Sequence, residues 1–135
     1  MIDLDYFKKV NDNYGHAAGD YVLKSVVRSL QATSRTADMT FRFGGEEFVV
    51  LLNKTDVAGA CITAERLRAT IADLSFNFEG TNIPVTISLG AATLRSGESK
   101  EALLGRADKA LYRSKSKGRN CLTHADEEET VSDVH

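Results

Sequence analysis

Apolar and polar residues alternate over Ile2-Asp3-Leu4, which predicts a strand. Asp5 offers an N-cap to a short helix over residues 6–10, and Asn11-Asp12-Asn13-Tyr14-Gly15 has the composition of a turn. From Gly19-Asp20 onward, Val22, Leu23, Val26, Val27 and Leu30 fall on one helical face, predicting a long helix that ends near Ser34. Met39-Thr40-Phe41 and Val49-Val50-Leu51-Leu52 are rich in aromatic and β-branched residues and predict two strands. Gly44-Gly45 between them reads as a tight hairpin turn, because glycine takes positive φ without strain. Asp56 caps a second long helix with Val57, Ala60, Cys61, Ala64, Leu67, Ile71 and Leu74 on one face. Residues 76–81 read as a loop. After Pro84, Val85, Ile87, Leu89 and Ala91 alternate with Thr86, Ser88, Gly90 and Ala92 as a strand. Ser99 caps a third long helix through Leu103, Ala107, Ala110, Leu111 and Tyr112, closed by the cations of residues 115–119 with Gly118 as C-cap. Asn120-Cys121-Leu122 predicts a short last strand.

The order β-α-β-β-α-β-α-β begins as a split βαβ unit. It predicts an α+β fold, ferredoxin-like or palm-type, with a central antiparallel sheet flanked by helices. In that layout Asp3 faces Glu46 across neighbouring central strands. A carboxylate pair of this kind suits a hard divalent cation. Glu46 and Glu47 are adjacent like charges that a plain chain reversal does not need. On the heptapeptide Arg42–Phe48 alone, a metal site and a solvated acidic tip stand as equal alternatives.

Composition narrows the class. A chain of 135 residues makes one domain with a single core. No apolar run approaches the roughly 20 residues of a membrane span, and no signal peptide opens the chain. Cys61 and Cys121 show no metal-binding or redox spacing, so a reducing, cytoplasmic setting is expected. Five of the 19 acids lie between Asp126 and Asp133, leaving 14 acids against 17 Lys and Arg in the body. The body is mildly basic, compatible with an anionic ligand but without an argument for nucleic acid. The domain is placed at residues 1–123, and residues 124–135 are read as an acidic, disordered tail. The opening strand, already under way at Met1, predicts a piece of a longer protein.

Asp3-Leu4-Asp5-Tyr6-Phe7-Lys8, Asn11-Asp12, Tyr14-Gly15-His16, Gly19-Asp20, Arg42-Phe43-Gly44-Gly45-Glu46-Glu47-Phe48, and Ala107-Asp108 through Gly118-Arg119-Asn120 occur in one order. Together they resemble the GGDEF domain of bacterial diguanylate cyclases, in its GGEEF form. The resemblance covers the chain to about Leu122. It implies a palm-like core and the condensation of two GTP into cyclic di-GMP with release of two pyrophosphates.

The resemblance also assigns roles. Asp3, Glu46 and the backbone carbonyl of Leu4 would ligate Mg²⁺ (or Mn²⁺), and Glu47 would help to deprotonate the 3′-hydroxyl or add a metal contact. Asn11 and Asp20 would read guanine. A carboxylate accepts from N1–H and N2–H₂, a donor pair that adenine lacks, although Asp20 could equally be the N-cap of the long helix. Lys8, Lys115 and Arg119, with the backbone N–H groups of Tyr6, Phe7 and Lys8, would hold phosphates. Gly44 and Gly45 would let the nucleotide approach the backbone, and Arg42 would touch phosphate or cover the strand. His16 is expected to stabilise a loop by hydrogen bonding. Arg35-Thr36-Ala37-Asp38 resembles the family's RxxD inhibitory site for the product, with Arg66 as a second arginine. The family's D-x-L-T-x-L-x-N-R stretch ahead of the first strand is not in the sequence. Catalysis would need an antiparallel homodimer, and a sensor or regulatory domain would precede the domain in the full-length protein, which could be membrane-anchored. The rival readings are a catalytically silent cyclic di-GMP receptor and an ATP-using cyclase, the latter disfavoured by Asp20.

Overall fold

The computed structural model describes residues 1–127. Its order is β1 (Ile2–Leu4), α1 (Phe7–Tyr14), α2 (His16–Thr33), β2 (Met39–Arg42), β3 (Glu47–Leu51), α3 (Val57–Asp73), β4 (Phe76–Phe78), β5 (Thr81–Ile83), β6 (Ile87–Ala91), α4 (Lys100–Ser116) and β7 (Leu122–His124). Five strands form one sheet in the order β2-β3-β1-β6-β7. The first four are antiparallel, as the split βαβ pattern requires, but β7 runs parallel to β6. The sheet is therefore mixed rather than antiparallel throughout. The reason is α4, a crossover helix that returns the chain to the same end of the sheet before β7 begins.

One sheet face carries the core. Ile2, Leu4, Phe48, Ile87 and Leu89 pack against Val22, Val26 and Leu30 of α2 and Ala64, Leu67 and Ile71 of α3. The pleat turns Ser88 and Gly90 to the opposite face, where α4 lies across β6. A Cβ on Gly90 would sit 2.2 Å from both Ala107 O and Leu111 N, so this glycine is what lets the helix touch the strand.

Two long helices begin where their caps predict. Asp56 Oδ1 accepts from Gly59 N at 2.8 Å, and Ser99 Oγ accepts from Ala102 N at 3.1 Å. Elsewhere the boundaries move. Asp5 caps nothing; Tyr6, in the left-handed region at φ 57°, is the N-cap residue of α1 and gives no side-chain cap. α1 continues through the expected turn to Tyr14, and Gly15 at φ 93° breaks it from α2. Residues 76–83 form a hairpin, not a loop. Glu79 and Gly80 both have positive φ, which makes a two-residue turn, and buried Phe76 and Ile83 pin its base. Phe76-Asn77-Phe78 alternates as Ile2-Asp3-Leu4 does, but Thr81-Asn82-Ile83 offers a single apolar residue.

The last strand is Leu122–His124 rather than 120–122, so a boundary at 123 falls inside β7. His124 is buried, and Ala125 N donates to Ala91 O at 2.8 Å. Asp126 pairs with Arg95 at 3.0 Å and Glu127 with Lys117 at 3.4 Å, so residues 124–127 belong to the folded body. The remainder of the expected tail lies outside the described residues. Among the described residues no helix is long and apolar enough to cross a membrane.

Candidate functional site

The loop between β2 and β3 is wider than a two-residue hairpin. The last ladder pair is Arg42 with Phe48, and Phe43 N donates to Glu47 O at 2.8 Å. Gly44 and Gly45 do not take positive φ. Their contribution is space: a Cβ on Gly45 would meet nothing within 4 Å, and one on Gly44 only Glu47 Cβ at 3.8 Å. Arg42 braces this loop, donating to Gly44 O at 3.1 Å and Gly45 O at 2.6 Å. Its guanidinium is committed to the backbone and not to the strand surface.

Asp3 lies in the middle strand and is buried. Its register partner is Glu47, not Glu46; Glu46 sits one residue nearer the loop, and its carbonyl accepts from Leu4 N at 3.2 Å. The expectation that Asp3 faces Glu46 is thus off by one residue, because the β1–β3 ladder sets Ile2 against Phe48 and Asp3 against Glu47. The two carboxylates still feel each other. Glu46 is held above the usual carboxylate range, first by burial and then by the charge of Asp3, with Lys115 opposing the rise.

The end of α4 brings Lys115 Nζ onto Asp3 Oδ2 as an ion pair. Asp3 Oδ1 is buried and has no hydrogen-bond partner. An orphaned buried carboxylate oxygen beside a second carboxylate of raised pKa is the donor set a hard cation fits. Among the described residues no three His, Cys, Asp or Glu side chains converge on a metal position. Two carboxylates with the Leu4 carbonyl would leave the remaining ligand positions to phosphate oxygens and water.

Around this pair the structure sets the other candidates. α1 and α2 are adjacent, and Asn11 of α1 lies over Gly19 of α2, where a Cβ would stand 1.9 Å from Asn11 Oδ1. Asp20 follows Gly19, exposed, as the fifth residue of α2, which removes its alternative as an N-cap. His16 opens α2, exposed and without a side-chain hydrogen bond, so it does not brace a loop as expected. Lys8 is exposed in the first turn of α1, whose N-terminus has no side-chain cap. Phe7 packs partly buried against the core. Tyr6 presents its ring to Lys9 Nζ at 4.7 Å and to the Arg119 guanidinium at 4.8 Å.

Arg35 and Asp38 form a closed unit at the end of β2 and β3 that is away from the Gly44–Gly45 loop. Arg35 donates from Nε and Nη2 to Asp38 and also from Nη2 to Asn53 O at 2.7 Å and Thr55 Oγ1 at 2.6 Å, while Asn53 N donates to Asp38 Oδ1. Asp38 is held below the usual carboxylate range by these hydrogen bonds, against the opposing effect of burial. Arg66 is exposed on α3 and makes no hydrogen bond to either residue.

Sequence reasoning passed over Asp5 and Asn120. Asp5 is buried and accepts three hydrogen bonds, from Ser88 Oγ, Thr86 Oγ1 and Asn120 N. The signal was only its place in Asp3-Leu4-Asp5; its partners are more than 80 residues away. A cavity of about 650 Å³, lined by Met39, Val49, Leu51, Leu103, Leu104 and Ala107 among others, touches none of the charged candidates. Its wall is apolar, so it is not where a nucleotide would meet them.

The family model described as "Diguanylate cyclase, GGDEF domain" matches residues 1–121. Diguanylate cyclase A of Treponema denticola is 48% identical over 124 residues, covering 91% of this chain and 33% of that protein. The response regulator PleD of Caulobacter vibrioides is 42% identical over 125 residues, covering 90% of this chain and 28% of that one. The chain thus spans a third or less of these relatives. Among solved structures, the GGDEF domain of DgcB from Caulobacter crescentus in complex with c-di-GMP superposes with a TM-score of 0.88 at 33% identity, over 93% of this chain and 75% of that one. The active GGEEF domain of a Vibrio cholerae diguanylate cyclase gives 0.86 at 35% identity, over 94% and 81%.

Proposed function

The chain belongs to the family of diguanylate cyclase GGDEF domains, and on that premise we propose that it joins two GTP into cyclic di-GMP, releasing two pyrophosphates. The observation that carries this reading is the buried, unpartnered Asp3 Oδ1 beside Glu46. Asp3, Glu46 and the Leu4 carbonyl would hold Mg²⁺ or Mn²⁺. A bound divalent cation supplies charge neutralisation at the α-phosphate and eases loss of the 3′-hydroxyl proton.

The remaining roles fall to the chain's own groups. Asn11 and Asp20 orient the guanine, and the exposed Asp20 carboxylate is free to accept its N1–H and N2–H₂. The open surface over Gly44 and Gly45 admits the triphosphate close to the backbone. Lys8, Arg119 and the uncapped start of α1 bind terminal phosphates. Lys115 neutralises Asp3 while no cation is bound. A cation held by Asp3 would leave the Lys115 ammonium available to phosphate. Glu47, half-buried at the start of β3, is the candidate to take the 3′-hydroxyl proton. One GTP sits in each half-site, so two copies meet antiparallel and each 3′-hydroxyl attacks the other's α-phosphate.

Arg35, Asp38 and Arg66 serve as the product-feedback site. Arg35 must leave Asn53 and Thr55, and Asp38 must exchange Arg35 for guanine donors, when product binds. The solved GGDEF domain of DgcB is in complex with c-di-GMP, which supports a ligand of this class.

The test is incubation with GTP and Mg²⁺ followed by mass analysis. We expect cyclic di-GMP and pyrophosphate, at a rate per chain that rises with protein concentration, and no product from Glu46→Ala. Product formation undiminished in Glu46→Ala would remove the metal assignment. Tight binding of cyclic di-GMP with no turnover would favour the receptor reading instead.

A further inference from the structure

Arg119 belongs to an unusual loop. Gly118, Arg119 and Asn120 all have positive φ, at 114°, 67° and 47°. Two of the three carry side chains, which resist this region, so something must hold them there. Backbone bonds close the loop onto α4, from Gly118 N to Lys115 O at 3.3 Å and from Arg119 N to Ser114 O at 3.1 Å, and two further tethers that reach other elements act through Asn120. Asn120 N donates to Asp5 Oδ2 at 3.0 Å, and Asn120 Oδ1 accepts from Arg68 Nη1 at 2.9 Å. Arg68 is itself fixed on Glu65 by Nε and Nη2. Asp5 is anchored from β6, with Thr86 Oγ1 donating to Oδ2 at 2.7 Å and Ser88 Oγ to Oδ1 at 2.6 Å. Its backbone also belongs to the sheet, through Asp5 N to Thr86 O at 3.0 Å. Tyr6, the next residue, is left-handed at φ 57° and holds the Arg119 guanidinium over its ring.

We propose that Asp5 is the positioning residue for Arg119. Its carboxylate fixes the 118–120 loop by Asn120 N–H, its backbone fixes Tyr6, and Arg119 is thereby held at the start of α1 where Lys8 stands. Arg68 is the second anchor of the same loop. Asp5 touches no substrate in this scheme; it acts through Arg119. The inference rests on the reading of Arg119 as a phosphate-side cation, and it adds a hydrogen-bonded network, anchored on buried Asp5, that reaches from α3 to the phosphate end of the site.

The probe is 3′-deoxy-GTP with Mg²⁺, which keeps every phosphate and lacks the attacking hydroxyl, so binding is read without turnover. Calorimetry is run on the full chain, on Asp5→Ala, Arg68→Ala and Arg119→Ala, and on each of the first two combined with Arg119→Ala. Arg119→Ala is expected to weaken binding about tenfold, the worth of one charge-assisted contact. Asp5→Ala should weaken it by a similar factor and Arg68→Ala by about threefold, and both losses should shrink below about twofold once Arg119 is gone. General loosening of the fold would instead lower affinity equally in both backgrounds, and that result overturns the proposal. If Asp5→Ala does not fold, Arg68→Ala decides alone: wild-type affinity there, or a loss indifferent to Arg119, overturns it. A parent chain that does not bind the probe, or an Arg119→Ala chain that binds it as well as the parent, refutes the underlying nucleotide reading and the proposal with it.

Discussion

Gly90→Ala tests whether the contact between α4 and β6 both stabilises the fold and builds the site. The added Cβ would lie 2.2 Å from Ala107 O, 2.2 Å from Leu111 N and 2.8 Å from Leu111 Cα. An ordinary contact needs roughly 3.5 Å, so α4 must retreat by about 1 Å. All three clashing atoms are helix backbone, so no side-chain rotation relieves them. Overpacking of this kind costs about 3 kcal/mol, the upper end of its usual range. For a domain of this size that is a fall of about 10 °C in melting temperature. Two further bonds depend on the same helix position. Ser114 Oγ donates to Leu89 O at 2.7 Å, and Lys115 pairs with Asp3. A shifted α4 loses both, so the variant should also show weaker cyclic di-GMP formation at temperatures where it remains folded. The assays are thermal and urea unfolding, followed by turnover at a temperature well below the new midpoint. A Gly90→Ala chain within about 0.5 kcal/mol of the parent would refute the reasoning, since it would mean that α4 does not rest on the bare strand.

Glu46 is a destabilising charge until a cation arrives: its pKa is raised above 4.5, so its contribution to stability is present below that pH and is lost as pH rises through the folded value. Glu46→Gln should therefore melt higher than the parent at neutral pH without metal and should lose the stabilisation that Mg²⁺ gives the parent; a variant that melts lower would count against the carboxylate pair. Glu98 has the opposite sign. Hydrogen bonds from Arg106 hold its carboxyl at about 2, so its stabilisation is present above 4.5 and disappears as pH falls toward 2. Glu98→Gln should flatten the stability profile across that window in acid-unfolding measurements, and an unchanged profile would show the pair to be idle. Asp20→Ala should lower GTP affinity about tenfold while leaving ATP affinity unchanged in a competition assay; equal loss for both would exclude a guanine-reading role. Arg35→Ala should abolish cyclic di-GMP binding by calorimetry without reducing initial turnover, and equal affinity in parent and variant would remove the feedback site.

The pattern of apolar residues foretold the three long helices and the four antiparallel strands, but it placed only the first turns of α1. It did not foretell the β4–β5 hairpin, whose strands have three residues each, nor the parallel pairing of β7, which depends on where α4 returns the chain. Asp3, Glu46, Asn11 and Asp20 could be named as candidates because their types and spacing form a motif. The roles of Arg42 and Asp5 were not legible. Arg42 turned out to brace the loop it belongs to, a choice made by the loop's carbonyl positions. Asp5 looked like a helix cap from its neighbours, and only partners contributed by β6 and the loop after α4 reveal its use. The Gly44-Gly45 pair was read as a tight turn at positive φ, and neither glycine takes it.

Several departures from the local rules gather at one end of the sheet. Asp3 leaves a buried oxygen unpaired, Glu46 is raised by burial and then by the charge of Asp3, and Tyr6, Arg119 and Asn120 hold left-handed backbone, as Lys54 and Glu79 do elsewhere. Each departure costs on the order of 1 kcal/mol or more, and none is relieved by the elements that carry it. What keeps them in place is packing at a distance. Gly90 seats α4 and so delivers Lys115, the β6 hydroxyls seat Asp5 and so deliver Asn120, and α3 supplies Arg68 as a second anchor. A ligand that brings a divalent cation and phosphate oxygens would relieve two of these costs together, giving Asp3 and Glu46 a shared counter-charge and giving Arg119 an anion. Strain and unmatched charge gathered at one edge, and maintained by packing from distant elements, are what a preorganised nucleotide site requires.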